Sequence, residues 1–174
     1  MNNKLQYKFT KLEASRLALI ERLEHIPTNK LETPPAPGKW SVAQVFYHLN
    51  KAESYSTIYV SKKRLDVNDL KKTGLKEAYR MLQLRIRFAS SKGLKAPAVL
   101  GEMPEYVSYN AILIEWEQTR KNLQELLISL PDDILNKNVF KQPVLGRLNI
   151  FQMLDFMQAH FNRHKKQVER IVMN

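Results

Sequence analysis

The chain of 174 residues contains no cysteine. Disulfide bonds, thiolate metal ligands, a cysteine nucleophile and a protein-borne redox thiol are therefore excluded. Any metal ion bound by the protein must take its ligands from histidine, carboxylate, amide or water groups. A reaction that needs a thiol must obtain it from a second small molecule.

Long hydrophobic runs are also missing. The longest apolar runs are short, such as residues 111–114, whereas a membrane-spanning helix needs roughly 18 apolar residues or more. Residues 1–12 are polar and lack the apolar centre of a secretory signal. We therefore expect a cytoplasmic protein that does not associate with membranes.

Acidic residues are few: 17 Asp and Glu oppose 28 Lys and Arg, for a formal net charge of +11. The excess is concentrated in residues 62–95, where eleven basic residues face only Asp66, Asp69 and Glu77. Such a segment can attract nucleic acid, an anionic membrane or an acidic substrate. A solvated helix face is the favoured interpretation, because the chain carries no known nucleic-acid-binding motif.

Glycine is scarce, with five residues in the chain, and apolar residues recur every three or four positions, which is the period of a helix. The length favours one domain over residues 1–174. The predicted helices cover about residues 5–25, 42–63, 75–88, 108–129 and 149 to nearly the C-terminus. The third of these is short and is predicted to expose a basic face to solvent. The pattern predicts an all-α fold, an antiparallel up-and-down four-helix bundle with an extra short helix.

Two of the predicted helices begin with a capping box. Ser41 is followed by Gln44, and Asn149 is followed by Gln152, so each pair can satisfy backbone N–H groups reciprocally. The segments between helices are predicted to be loops, including a proline-rich linker at residues 33–39. Residues 131–148 are also expected to be mostly loop, with one turn at residues 132–135.

Three of the four histidines fall on apolar helix faces. His48 shares its face with Val45 and Ala52, and His160 and His164 interrupt the apolar stripe of the last helix. Imidazoles four residues apart are stacked on one face of a helix, so both can reach one ion. A third imidazole from a facing helix completes a metal site inside a bundle.

A structural role is the alternative for these histidines, since a buried imidazole often serves only as a hydrogen-bonded core residue. The apolar stripe of the last helix offers few hydrogen-bond partners to an adjacent imidazole pair, which favours metal binding. His25 is predicted to end the first helix, where it can contact free carbonyl groups, and it is left out of the site.

Two segments resemble the DinB-like superfamily, also described as a metal-dependent hydrolase group. They are Lys-Trp-Ser-Val-Ala-Gln-Val-Phe-Tyr-His-Leu at residues 39–49 and His-Phe-Asn-Arg-His-Lys-Lys-Gln-Val-Glu-Arg-Ile at residues 160–171. Residues 139–148 resemble the loop before the last helix in one branch, and Trp116 and Arg120 also fit the family. The resemblance covers most of the chain.

This resemblance implies a four-helix bundle with a three-histidine site for nickel, zinc or a similar divalent metal ion. His48, His160 and His164 match the ligand positions. Relatives include transferases and isomerases that use bacillithiol, mycothiol or glutathione. Gln44 stands where glutamate is frequent, and Gln142 stands where some relatives have histidine.

Catalytic residues are harder to assign from the sequence. Gln44, Tyr55 and Tyr59 are weak candidates on the face that carries His48, although a cap and core packing explain them equally well. We expect no inward carboxylate, with Glu53 pointing away from His48. Three hypotheses follow: a metal-dependent hydrolase or thiol-dependent transferase, a non-catalytic metal-binding or stress-response bundle, and a basic nucleic-acid-binding module. Homodimerisation is expected, without a predicted interface.

Overall fold

A computed structural model describes residues 1–64, 70–89, 101–142 and 145–173. Within these ranges the chain forms six α-helices, a short 3-10 helix and one two-stranded sheet. The helices are α1 (Asn3–Leu23), α2 (Thr28–Glu32), α3 (Val42–Lys63), α4 (Leu75–Ala89), α5 (Tyr109–Ser129) and α6 (Ile150–Met173). The predicted all-α four-helix bundle is confirmed, with the five predicted helices present to within about two residues at their ends.

The bundle consists of the four long helices α1, α3, α5 and α6. Helices α3 and α5 run parallel, since Phe46 packs on Tyr109 near their starts and Arg64 reaches Ser129 near their ends. They lie side by side in the same direction because α4 carries the chain back between them. Counted with α4, successive helices alternate in direction, and α4 itself packs outside the bundle on α6.

The predicted capping boxes are both present and define where α3 and α6 begin. The Ser41 hydroxyl accepts from the Gln44 backbone N–H, and the Gln44 side chain accepts from the Ser41 N–H. Asn149 and Gln152 make the same exchange before α6. Each cap fixes where its helix begins, and the helical period then places His160 and His164 on one face of α6 and His48 on one face of α3.

Two elements were not expected from the sequence. Helix α2 lies between Pro27 and the proline-rich linker, and buries Leu31. Residues 131–148 are not mostly loop: Phe140–Gln142 (β1) pairs with Gly146–Leu148 (β2) in an antiparallel hairpin. Strands of three residues have too short an alternation to be recognised in a sequence. The turn expected at residues 132–135 is present as a 3-10 helix over Asp132–Ile134.

No helix among the described residues is long and apolar enough to cross a membrane. The basic segment at residues 62–95 is described only in part, because residues 65–69 and 90–95 lie outside the described ranges. Most of the predicted loop at 90–107 also lies outside them.

Candidate metal centre

The three histidines predicted as ligands meet between α3 and α6. His48 is in the second turn of α3, and His160 and His164 are in the middle of α6. Their imidazole centroids lie 5.0 Å apart for His48 and His160, 4.8 Å for His48 and His164, and 4.7 Å for His160 and His164. Among the described residues, these three form the one group whose ligand atoms converge in this way, within 4.8 Å of one another.

The separation of the ring nitrogens fits a shared divalent ion. Two nitrogens bound to one ion at about 2.0–2.1 Å lie about 2.9 Å apart at a right angle and about 3.4 Å apart at the tetrahedral angle. The Nε2 atoms of His48 and His160 are 3.1 Å apart, between these two values. This separation suits two neighbouring ligands of one ion, and it equally suits a direct hydrogen bond between the two imidazoles; the ligand atom of His164 lies within 4.8 Å of both.

Burial keeps these imidazoles neutral. Desolvation lowers the pKa of His48 to about 4. Desolvation, together with repulsion from His48 when it is protonated, lowers the pKa of His164 to about 4. The pKa of His160 is also lowered well below its usual range, by burial first and then by His164 and His48. Because a neutral imidazole has a free lone pair, the three side chains are ready to bind a cation near pH 7.

Gln167 orients one of the ligands. Its Oε1 lies 2.9 Å from Nδ1 of His164, one helical turn away. An amide oxygen only accepts, so Nδ1 is the protonated nitrogen and Nε2 is left free for the ion. Gln167 was not predicted from the sequence, although its position three residues after His164 on one helix is visible there.

Aromatic rings surround the histidines. Phe156 stacks on His160 with the ring centroids 5.7 Å apart and the planes at 8°, Phe88 of α4 lies 5.9 Å from the same ring, and Trp40 lies 5.2 Å from the ring of His48. His160 nevertheless retains partial exposure to solvent. The three histidines are therefore surrounded largely by aromatic rings, and His160 is the partly exposed member of the group.

Gln44 has a structural role, because it links the start of α3 to another segment. Its side-chain oxygen belongs to the capping box, and its Nε2 donates to the carbonyl oxygens of Pro104 and Glu105 at 2.8 and 3.1 Å. These contacts join the start of α3 to the segment that precedes α5. Both ends of the amide are thus engaged away from the histidines.

The two tyrosines lie along α3 beyond His48. The Tyr55 and Tyr59 rings are 6.2 Å apart, and Tyr59 packs edge-on against Phe140 of β1. Phe140 in turn contacts Phe156, which stacks on His160. Tyr59 is therefore connected to the histidines through the phenyl rings of Phe140 and Phe156. Gln142, also of β1, is buried and accepts from the Leu145 N–H.

Glu53 is an inward carboxylate, which corrects the expectation that the bundle has none. It is 2 % exposed and accepts from Arg120 at 2.7 and 2.9 Å and from the Trp116 indole at 2.8 Å. As expected, it points away from His48, toward Trp116 and Arg120 of α5. A charged residue in a sequence does not by itself predict burial. The residue that compensates the charge of Glu53, Arg120, is on another helix.

The chain belongs to the DinB superfamily, whose family model matches residues 11–168. It is also similar to the "Uncharacterized protein YuaE" of Bacillus subtilis (strain 168), with 24% identity over 157 residues that cover 90% of this chain and 92% of that protein. Its fold resembles that of TT2238, described as a four-helix bundle protein, with a TM-score of 0.64 and 19% identity. That comparison covers 95% of this chain and 98% of the TT2238 chain. The family membership predicted from the two histidine-containing segments is thereby confirmed.

Proposed function

We propose that the protein binds one divalent metal ion, nickel or zinc, through His48, His160 and His164, and that it is a metal-dependent transferase whose nucleophile is an external low-molecular-weight thiol such as bacillithiol. The observation that carries the proposal is the convergence of three neutral imidazoles on one point between α3 and α6. Imidazole ligands suit both nickel and zinc.

Three protein ligands leave at least one coordination position for a small molecule, which is typical of catalytic rather than structural sites. A divalent ion bound there supplies Lewis acidity, which lowers the pKa of a bound thiol or water molecule. The protein's own part is to keep the imidazoles neutral, to orient His164 through Gln167, and to exclude water with Phe88, Phe156 and Trp40.

Transfer of a thiol is favoured over hydrolysis. Water activation in many metallohydrolases uses a nearby carboxylate as general base, and the convergent group among the described residues contains none. The buried carboxylate of Glu53 is already held by Arg120 and Trp116. A thiol depends less on a general base, because it loses its proton far more easily than water does. A cosubstrate of this kind also fits the reducing cytoplasm, where we place the protein.

The first test is the metal content of protein that is purified without an affinity tag. We expect elemental analysis to find about one nickel or zinc ion per chain in the wild type and almost none in His160→Ala/His164→Ala. His25→Ala is the matched control, because this exposed histidine lies outside the group, and it should keep its metal. A wild type without metal after incubation with either ion contradicts the proposal.

The second test separates the two reactions. Metal-loaded protein is assayed with bacillithiol and an electrophile panel, and separately with an ester panel. We expect consumption of the thiol, lost in His48→Ala, and no ester hydrolysis above background. Ester hydrolysis that depends on the metal without any thiol would establish the hydrolase instead.

A further inference from the structure

A groove lies on the outside of the bundle between α1 and α6. It is half open to solvent and has a cavity volume of about 400 Å³, which is within the range of small-molecule sites. Phe88 at the end of α4 forms part of its wall, and the same ring lies 5.9 Å from the ring of His160. The groove is therefore a neighbour of the histidine cluster, although none of the three histidines lines it.

The lining of this α1–α6 groove is strongly cationic. Lys8 and Lys11 of α1 and Arg163 and Lys166 of α6 line it, against the single carboxylate of Asp155. Asp155 is paired with Lys8 across the two helices. Lys11 and Lys166 are exposed, and neither has an acidic partner among the residues that the structure describes. The lining therefore has a surplus of positive charge, which favours an anionic ligand.

The chain next to Phe88 adds no negative charge to this end of the molecule. The side chains of Arg85 and Arg87 lie outside the described residues, and both are cations. The sequence contains no Asp or Glu between Glu77 and Glu102. Side chains from this segment can therefore only increase the positive charge near the groove.

Arg163 is held in place between the groove and the histidines. Its guanidinium lies over the Phe88 ring, 5.8 Å from the centroid, and its Nη1 donates to the Phe88 carbonyl oxygen at 3.5 Å. A guanidinium fixed in this way loses less freedom when it binds an anion than a mobile one does. Beside it, Oδ1 of Asn162 accepts from Gln158, which leaves the Asn162 Nδ2 to donate to a ligand.

We propose that the α1–α6 groove binds a small molecule that has an anionic head group, a phosphate or a carboxylate, and an apolar or aromatic body. Lys11, Arg163 and Lys166 bind the head group, since ammonium and guanidinium groups form charge-assisted hydrogen bonds with both kinds of anion. The rings of Tyr7 and Phe88, which also line the groove, contact the body. The site is separate from the proposed metal centre and does not require a metal ion.

The extent of the cationic surface favours a small molecule over nucleic acid. Along α6 the surface is bounded by Asp155 and Glu169, and each of these carboxylates is paired with a cation of α1. These two positions are about 21 Å apart at the rise of an α-helix. A nucleic acid needs a longer basic stripe that contacts several successive phosphates, and it would meet a carboxylate at both ends of the groove.

Titration of the isotopically labelled protein, followed by NMR of its backbone amides, tests the site. Phenyl phosphate and benzoate are added separately at low salt. We expect saturable shifts with a dissociation constant of about 1 mM or lower, and the ligand that binds more tightly identifies the head group. Lys11→Gln/Lys166→Gln should raise the dissociation constant about ten-fold or more, because two charges beside the head group are lost.

Lys30→Gln/Lys121→Gln is the matched control. It removes the same net charge at exposed positions on α2 and α5, and it should bind both ligands as the wild type does. Asp155→Asn should bind more tightly, by about three-fold or more, because the change removes the one carboxylate in the lining and releases Lys8 from its ion pair. A gain of affinity cannot come from loss of the fold.

Three results overturn the proposal. The first is the absence of saturable shifts up to about 10 mM of either ligand, a concentration that detects even weak specific binding. The second is an equal loss of affinity in the groove variant and the control variant, which would indicate general attraction to a chain of net charge +11. The third is salt-sensitive binding of duplex DNA by a protein that binds neither small ligand.

Chelator treatment separates this site from the metal centre. Wild-type protein stripped of metal should bind phenyl phosphate or benzoate as tightly as untreated protein does. Retained binding supports the groove site whatever the metal analysis finds. Loss of binding on metal removal would place the anion on the metal ion and overturn the groove site, while it would support a bound ion.

Discussion

At the scale of single residues, the surroundings of His164 suit the metal ligand that we propose it to be. Burial lowers the pKa of its imidazole to about 4, so no proton competes with a cation near pH 7, and Gln167 contacts Nδ1, which leaves Nε2 free. A ligand that is already neutral and oriented loses less freedom on binding, which raises affinity.

Replacement of Gln167 by alanine should weaken metal binding about 10- to 100-fold, the range found when groups that orient metal ligands are removed. Competition with a chromogenic chelator measures the change. Gln158→Ala is the control, since Gln158 lies on the same helix and donates to Ser15 and Asn162 instead of to a histidine. Equal affinity of the two variants would show that Gln167 has no part in positioning His164.

At the scale of helices, charged side chains link α3 to α5, and the three histidines lie between α3 and α6. Glu53 and Arg120 link α3 to α5, and Arg120 extends to Glu13 of α1 at 3.2 Å. Arg16 joins Glu13 to Glu117. Because buried charges are costly when unpaired, this network fixes the relative position of three helices. Helix α6 is joined to α1 by two more exposed ion pairs, Lys8–Asp155 and Arg22–Glu169.

Arg120→Met should destabilise the protein by about 3–5 kcal/mol, because it leaves the Glu53 carboxylate buried without its cation. The double variant Glu53→Leu/Arg120→Met should cost less than the sum of the two single changes. Urea unfolding measures the free energies. Arg22→Met breaks the more exposed Arg22–Glu169 pair and should cost less than about 1 kcal/mol. Additive single changes would mean that the two buried side chains do not interact.

At the scale of the whole molecule, the histidine cluster couples folding to pH. In the metal-free protein, His48 and His164 have a pKa of about 4, whereas an unfolded histidine has a pKa of about 6.5. Between these values the unfolded chain binds more protons than the folded one. The free energy of unfolding should therefore be highest above about pH 6.5 and fall as the pH drops toward about 4.

Urea unfolding of chelator-treated protein at several pH values between about 4 and 7 measures this dependence. His160→Ala/His164→Ala should have a visibly shallower slope, since fewer imidazoles must gain a proton on unfolding. Identical slopes for both proteins would show that the cluster is not the source of the pH dependence.

Local patterns in the sequence were enough to predict the helices and the inward position of three histidines. Helical period and the two capping boxes are local properties, so they predicted five helices and put His48, His160 and His164 on inward faces. The hairpin and α2 were missed because each is held by packing rather than by its own pattern. The same limit applies to Trp40 and Phe88, which reach the histidines only across element boundaries.

The sequence by itself determined that the chain has no thiol of its own, that it is helical, and that three imidazoles can converge. Only the tertiary structure decided that Glu53 is inward but paired with Arg120, that Gln44 links α3 to the segment before α5, and that α4 leaves apolar side chains exposed. The physical reason is that a helix face can be read from spacing within one segment. Whether that face meets a charge, a ring or solvent depends on which other segment packs against it.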